Sequence, residues 1–179
     1  MAWSKKPKKP LEPLDEKALY NYASAALGRR MRTVVELKRL LRKRVEPGES
    51  GDTKIDAVVA RLQEYKFLDD PTFAATYTRL RQENQSFGRR RVQQDLMQKG
   101  IQSDLASETL NTAYEDVDEE LLARQHLARK RLKQPTNDKE AARIMRQLLR
   151  AGFSSTVIFK ILKHWQVAEE MLESLTSSE

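Results

Sequence analysis

From Asp15 onward, apolar residues recur three and four positions apart, as in Ala18, Leu19, Tyr22 and Ala26 and again in Val34, Leu37 and Leu41. At about 3.6 residues per turn this spacing gathers them on one face, so the pattern predicts amphipathic helices; no stretch reads convincingly as a strand. The punctuation agrees. Asp70 before Pro71 places a carboxylate acceptor ahead of a residue whose missing N–H is harmless in a first turn, so a helix is predicted to start there. Asn137 and Glu140 have the spacing of a capping box, with Asn in place of Ser or Thr. Gly100 and Gly152 follow apolar-periodic segments, where a left-handed cap needs a residue without a Cβ. The predicted fold class is all-α.

The cuts recur. Leu40-Leu41-Arg42-Lys43-Arg44-Val45, Leu96-Met97-Gln98-Lys99-Gly100-Ile101 and Leu148-Leu149-Arg150-Ala151-Gly152-Phe153 share one pattern of two apolar residues, two polar or small ones, a turn residue and an apolar one. In the second and third copies an apolar residue follows four later, Leu105 and Val157. The first copy instead carries EPGESGDT, residues 46–53, read as an insertion before its third helix. A period of about 50 residues holding three short helices predicts an elongated tandem array of three three-helix repeats. The expected boundaries are 15–68, 69–116 and 117–167. Residues 1–14 interleave Lys5, Lys6, Lys8 and Lys9 with Pro7, Pro10 and Pro13 and are expected to form a disordered basic arm. Residues 168–179 form an acidic tail containing Glu169, Glu170 and Glu173. Helices this short are unstable alone, so packing must hold them.

Charge directs attention to the partner. Across 179 residues the formal net charge is +7, which favours a polyanionic or acidic partner. The cations cluster once per expected repeat. The first cluster holds Arg29, Arg30, Arg32, Lys38, Arg39, Arg42, Lys43 and Arg44, opposed locally by Glu36; on a helical wheel Arg32, Arg39 and Lys43 form a ridge away from Leu37 and Leu41. The second holds Arg79, Arg81, Arg89, Arg90 and Arg91 around Ser86-Phe87-Gly88, with Lys99 downstream. The third holds Arg124, Arg129, Lys130, Arg131 and Lys133. Charge runs are commonly solvated faces, and in a chain that is 33% charged some clustering arises by chance. Their recurrence in each repeat favours a binding track.

Signs of catalysis are missing from the pattern. His126 and His164 lack an HExxH or Cys context, and the chain has no Cys. No phosphate-binding Gly loop or nucleophile elbow appears. Asp69-Asp70 reads better as helix capping than as an acid-base pair, and the acidic run Glu115 to Glu120 suits a helix amino end. No enzyme activity, catalytic residue, metal or cofactor is expected. Without an apolar run of about 20 residues or a signal-type leader, a cytoplasmic protein away from membranes is expected.

Residues 65–101, YKFLDDPTFAATYTRLRQENQSFGRRRVQQDLMQKGI, carry a resemblance. Phe67, Leu68, Asp69, Asp70, Phe73, Ala74, Tyr77, Arg79 or Arg81, Gly88, Arg89, Arg90, Leu96, Lys99, Gly100 and Ile101 match in order the signature of the RecX family. The resemblance extends more weakly over about Asp15 to Trp165. It implies three tandem three-helix repeats lying along the groove of a RecA-DNA filament, blocking its extension and with it RecA ATP hydrolysis, strand exchange and repressor cleavage. The implied partners are the RecA filament and single- or double-stranded DNA bound without regard to sequence, by a monomer. Arg44 stands where the other two copies have Gly, which together with 46–53 sets the first repeat apart. The competing reading is a helix-turn-helix regulator acting on duplex DNA, for which Gln93, Gln94 and Gln98 supply readout groups.

Overall fold

A computed structural model describes residues 12–165. Among them the regular structure is helical: α1 Glu16–Arg29, α2 Val34–Leu41, α3 Glu49–Glu64, α4 Asp70–Gln85, α5 Arg89–Gln98, α6 Ser103–Tyr114, α7 Glu119–Arg129, α8 Asp138–Arg150 and α9 Ser155–His164, with a 3₁₀ turn at Arg42–Arg44. The caps are local and chemical. Asp15, Thr33, Asp118, Asn137 and Ser154 each accept a bond from an N–H of the first turn they precede. Glu140 completes its box one residue further back than usual, accepting from the Thr136 N–H and hydroxyl at 2.8 and 3.0 Å, bonds that hold its carboxyl below the usual range.

The backbone packs as two compact units that divide between Phe73 and Ala74. In the first, α1 packs on α3 and α2. Leu19 and Ala23 meet Leu37, Leu41, Ile55, Val58, Val59, Leu62 and Leu68 in one core. In the second, α5 packs on α6, and α9 packs on α7 and α8. Phe153, Ile158, Ile161 and Leu162 are buried there, as are Val92, Leu96, Leu110 and Leu148.

The first unit departs from expectation in four places. Glu49 to Thr53 is not an insertion before α3 but its opening turn, with Gly48 at φ 110° breaking the chain just ahead of it. Gly51 is buried, and a Cβ there would lie 2.0 Å from the Glu46 carbonyl oxygen, so the close approach, not a loop, explains the glycine. The register of the first copy is also one residue off. Leu41 is buried and Leu40 only half-buried, and counting from the N-caps Thr33 and Gly88 pairs Leu37 and Leu41 with Val92 and Leu96. Asp69, not Asp70, caps α4, accepting from the Thr72 N–H at 3.2 Å and hydroxyl at 3.0 Å. Asp70 instead accepts from the Val34 N–H at 2.9 Å, capping α2 from a distance; burial, with Asp69 and Glu36 adding, pushes its carboxyl up against the pull of that bond. Finally, Leu14 is no part of a free arm: its N–H donates to the Arg44 carbonyl at 2.7 Å and its side chain packs on the core. Residues 1–11 of the expected arm and the acidic tail lie outside the described residues.

In the second unit two glycines meet. Gly88 donates its N–H to the Ala151 carbonyl at 2.8 Å, and Arg90 donates to the Gly152 carbonyl at 3.3 Å, so the amino end of α5 is capped by the turn after α8. A Cβ on Gly88 would lie 2.5 Å from the Gly152 oxygen, and one on Gly152, at φ 88°, 2.2 Å from the Arg91 nitrogen. The buried ring of His126 packs between Phe87 and Phe153, at centroid distances of 5.8 and 6.1 Å. Its Nδ1 lies 2.8 Å from the Gln85 carbonyl oxygen, and Nε2 lies 3.4 Å from the Gln147 amide. That network fits a neutral ring donating from Nδ1, and burial pushes its pKa down.

Gly152→Ala should lower stability by about 2–5 kcal/mol, from left-handed strain plus overpacking. Gly28→Ala, where a Cβ meets nothing within 4 Å, should be neutral or slightly stabilising. Urea unfolding of the two variants compares them directly. Because the folded pKa of His126 is depressed, the unfolded chain binds its proton first, so stability should fall as pH drops below about 6.5. His126→Asn should flatten that part of the dependence of the urea midpoint on pH.

Candidate functional site

The clustered cations are not equivalent once folded. Arg81 and Arg91 flank the buried carboxylate of Asp95, their Nε atoms at 3.4 and 3.2 Å as ion pairs and not as aligned hydrogen bonds. The Tyr77 hydroxyl donates to Asp95 at 3.1 Å and accepts a bond from Arg81. Arg81 lies over the Tyr77 ring at 4.7 Å, and Lys99 over the same ring at 5.2 Å. Both Arg81 and Arg91 also approach the Phe87 ring, at 5.8 Å. Arg89 donates to the Asn111 side chain. Three arginines at a helix amino end oppose the macrodipole, and these partners, with the carbonyl end of α8 alongside, offset that.

Arg129 acts as a cap. It donates to the Asn84 carbonyl at 2.9 Å and the Glu83 carbonyl at 2.6 Å, beside the bond of His126 to Gln85, so α7 satisfies the last carbonyls of α4. Other members are held in surface ion pairs: Arg30 with Glu36, Lys38 with Asp56, Arg42 with Asp52, Arg79 with Glu83 and Arg124 with Glu120. Arg44 lies 4.7 Å over the Tyr22 ring. The ridge through Arg32, Arg39 and Lys43 does not form as one helix face, because Arg32 precedes the N-cap Thr33 and Lys43 sits in the 3₁₀ turn.

What remains is smaller and differently placed. Among the described residues, Arg29, Arg39, Lys43, Arg90, Lys130, Arg131 and Lys133 are exposed and have no salt-bridge partner. To these the fold adds a row that cluster counting along the sequence missed. Lys139, Arg143, Arg146 and Arg150 are exposed on α8, opposite buried Ala141, Ile144, Met145 and Leu148. Their spacing of four, three and four puts them on one face over about 16 Å of helix. Arg131, Lys133 and Arg143 line one pocket with Glu140, joining that row to the segment after α7. The signal was legible as helical periodicity in charge, but Asp138 and Glu140 in the first turn diluted it. No cluster of three or more His, Asp or Glu is placed to hold a metal ion among the described residues, and no described helix is long and apolar enough to cross a membrane.

Removing the buried acceptor should be costly. Asp95→Ala should destabilise the chain by about 1–3 kcal/mol, since two half-exposed guanidiniums and a tyrosine lose their shared acceptor. Loss of ellipticity in urea measures it, and an unchanged midpoint would mean the network is ornamental.

The comparisons with known proteins point one way. The family model for RecX, second three-helix domain, matches residues 69–110, which run from the cap of α4 into α6. The regulatory protein RecX of Leptothrix cholodnii is 33% identical over 124 residues, 69% of this chain and 76% of that protein. That of Geobacillus kaustophilus is 32% identical over 149 residues, 82% of this chain but 53% of the relative, so the chain spans about half the length of such relatives. The crystal structure of RecX from Lactobacillus salivarius superposes with a TM-score of 0.65 at 22% identity, over 86% of this chain and 97% of that one, a likeness of fold. With a RecX domain matched on α4 to α6 and a relative 33% identical that the chain covers over 76% of its length, the chain belongs to the RecX family of regulatory proteins.

Proposed function

We propose that the chain binds a RecA-DNA filament along its groove and restrains filament extension, lowering RecA ATP hydrolysis, strand exchange and coprotease activity. Family membership supports the regulatory role. The observation that carries the binding mode is the set of exposed cations without a salt-bridge partner among the described residues, above all Lys139, Arg143, Arg146 and Arg150 in a row on α8. Such a row meets phosphates without selecting bases, and its attraction comes chiefly from released counterions. Arg39, Lys43 and Arg90 would add contacts elsewhere along the chain. In this reading the chain acts as a monomer in the cytoplasm, its three units at 15–68, 69–116 and 117–167 each contribute weak contacts, and linkage raises their joint occupancy through effective concentration. The ATP belongs to RecA, and no catalytic role is assigned to this chain.

Sequence-reading of duplex DNA by α5 is less well supported. Gln94 and Gln98 are exposed, but Arg89 and Arg91 are engaged by Asn111 and Asp95 and would have to leave them to reach bases.

DNA-dependent ATP hydrolysis by RecA, with filament length read in parallel, tests the proposal. The wild-type chain should suppress both at near-stoichiometric amounts. Reversing Arg143, Arg146 and Arg150 together to Glu should weaken suppression by about tenfold or more and flatten its salt dependence, with helicity retained. Arg39→Glu with Lys43→Glu should weaken it less. Unchanged ATPase and filament length at saturating wild-type chain would sink the reading.

A further inference from the structure

Five described helix ends pass through a left-handed residue: Lys66, Ser86, Gly100, Arg131 and Gly152, with φ of 58°, 48°, 87°, 54° and 88°. An apolar residue follows each one: Phe67, Phe87, Ile101, Leu132 and Phe153. In this kind of helix ending that residue ordinarily folds back onto its own helix or its neighbour. Ile101 and Phe153 are buried, and Phe87 and Leu132 are half-buried. Phe67 makes the same backbone bond, its N–H to the Leu62 carbonyl at 3.0 Å, yet the residue is 65% exposed. The turn presents an aromatic ring that the described residues leave largely open.

The surroundings of Phe67 are apolar at the floor and cationic at the rim. Tyr65 lies 6.5 Å away, ring to ring, and it and Met31 are 54% and 45% exposed. Leu27, Met31 and Phe67 line a pocket of about 120 Å³ together with Arg32, Lys66, Asp69 and Thr72. The carboxylate in that list is already engaged, since Asp69 caps Thr72. The Nε of Arg32 is buried without a hydrogen-bond acceptor among the described residues, so its guanidinium is not held by a carboxylate of this patch. Arg61 stands behind Tyr65, its guanidinium 5.9 Å from that ring. The side chain at Lys66 holds a left-handed φ that Gly or Asn would adopt more easily.

We propose that this patch, formed by Met31, Arg32, Tyr65, Lys66 and Phe67, is a docking site for an acidic peptide segment that carries an aliphatic anchor residue. The anchor enters the pocket against Phe67, Met31 and Leu27. Flanking carboxylates meet Lys66 and the Arg32 fork, which engages carboxylate in a planar, bidentate way. Charge complementarity selects the occupant: the rim offers donors and the floor excludes water. Nucleic-acid bases would stack on the open ring but have no use for the aliphatic pocket.

The test uses the full chain, with neither RecA nor DNA present, so its outcome is separate from that of the filament reading. A short fluorescent peptide with a central Leu flanked by Glu and Asp is titrated by anisotropy, beside a version with Ser in place of the Leu. The expected result is saturable binding to the wild-type chain, lost for the Ser peptide and weakened about tenfold by Phe67→Ala. Lys66→Asn should weaken it as well while leaving the chain at least as stable, because Asn suits the left-handed position; that separates lost charge from lost fold. The proposal is overturned if the wild-type chain ignores the peptide, or if Phe67→Ala binds it equally well. It is likewise overturned if oligothymidine displaces the peptide and itself loses affinity in Phe67→Ala, which would make the patch a base-stacking face. A sedimentation coefficient that falls on Phe67→Ala would instead make it a contact between copies.

Discussion

The amino end of α5 has no side-chain cap, and its free N–H groups rely on carbonyls of the turn that follows α8. That dependence needs two backbones closer than any Cβ permits, and Gly88 and Gly152 supply the approach from both sides. Much of the second unit follows from it. Bringing the α8 turn onto α5 sets Phe153 beside His126 and His126 beside Phe87, and places His126 and Arg129 where they satisfy the last carbonyls of α4. The start of α5 and the end of α4 are therefore closed by other helices, while α7, α8 and α9 start on their own side-chain caps. Helices of 10 to 13 residues, which would melt alone, are kept by this mutual capping as well as by their apolar faces.

The same constraint explains which sequence signals were legible. Gly100 and Gly152 read correctly as left-handed caps because the requirement is local: one residue, one φ. Gly88 and Gly51 did not, because what each makes room for is a backbone remote in sequence or hidden by a turn-like composition, and periodicity carries no record of a neighbour. EPGESGDT looked like loop for that reason. The one-residue register error at Leu40 has a similar origin: both leucines are apolar, and only the count from the N-cap tells which one faces inward. Asp69 and Asp70 were rightly taken as capping residues, but their division of labour, one for α4 and one for α2, depends on a contact spanning 36 residues.

Charge was the least legible property. A run of arginines looks the same in sequence whether its members face solvent or a buried carboxylate, and the family resemblance marks positions without saying which pairing they enter. Arg81 and Arg91 proved to be partners of Asp95, a residue that nothing in a polar stretch, VQQDLMQ, distinguished as buried. Arg129 became a cap. By contrast Arg143, Arg146 and Arg150 are spread by helical spacing and do not look like a cluster at all, yet they project together because α8 has one strongly apolar face. Counting charge along the chain rewards adjacency, whereas a surface rewards period.

These two classes of arginine place different demands on the fold. A guanidinium held against Asp95 or the end of α4 can serve a partner only by abandoning a buried acceptor or orphaning carbonyls, and such groups cost about 1–3 kcal/mol each when left unmet. A guanidinium in the row on α8 holds no salt bridge among the described residues and gives up mainly water. Under the proposed function, binding to a polyanion would draw first on α8, Arg39, Lys43 and Arg90, and would leave the Asp95 network intact. Natural selection on arginines in this chain would then act through two separate routes, stability at the seam of α4, α5 and α7, and salt-sensitive affinity on the open face of α8. Substitutions along the sequence cluster at 79–91 are expected to mix the two effects, whereas those on α8 isolate the second.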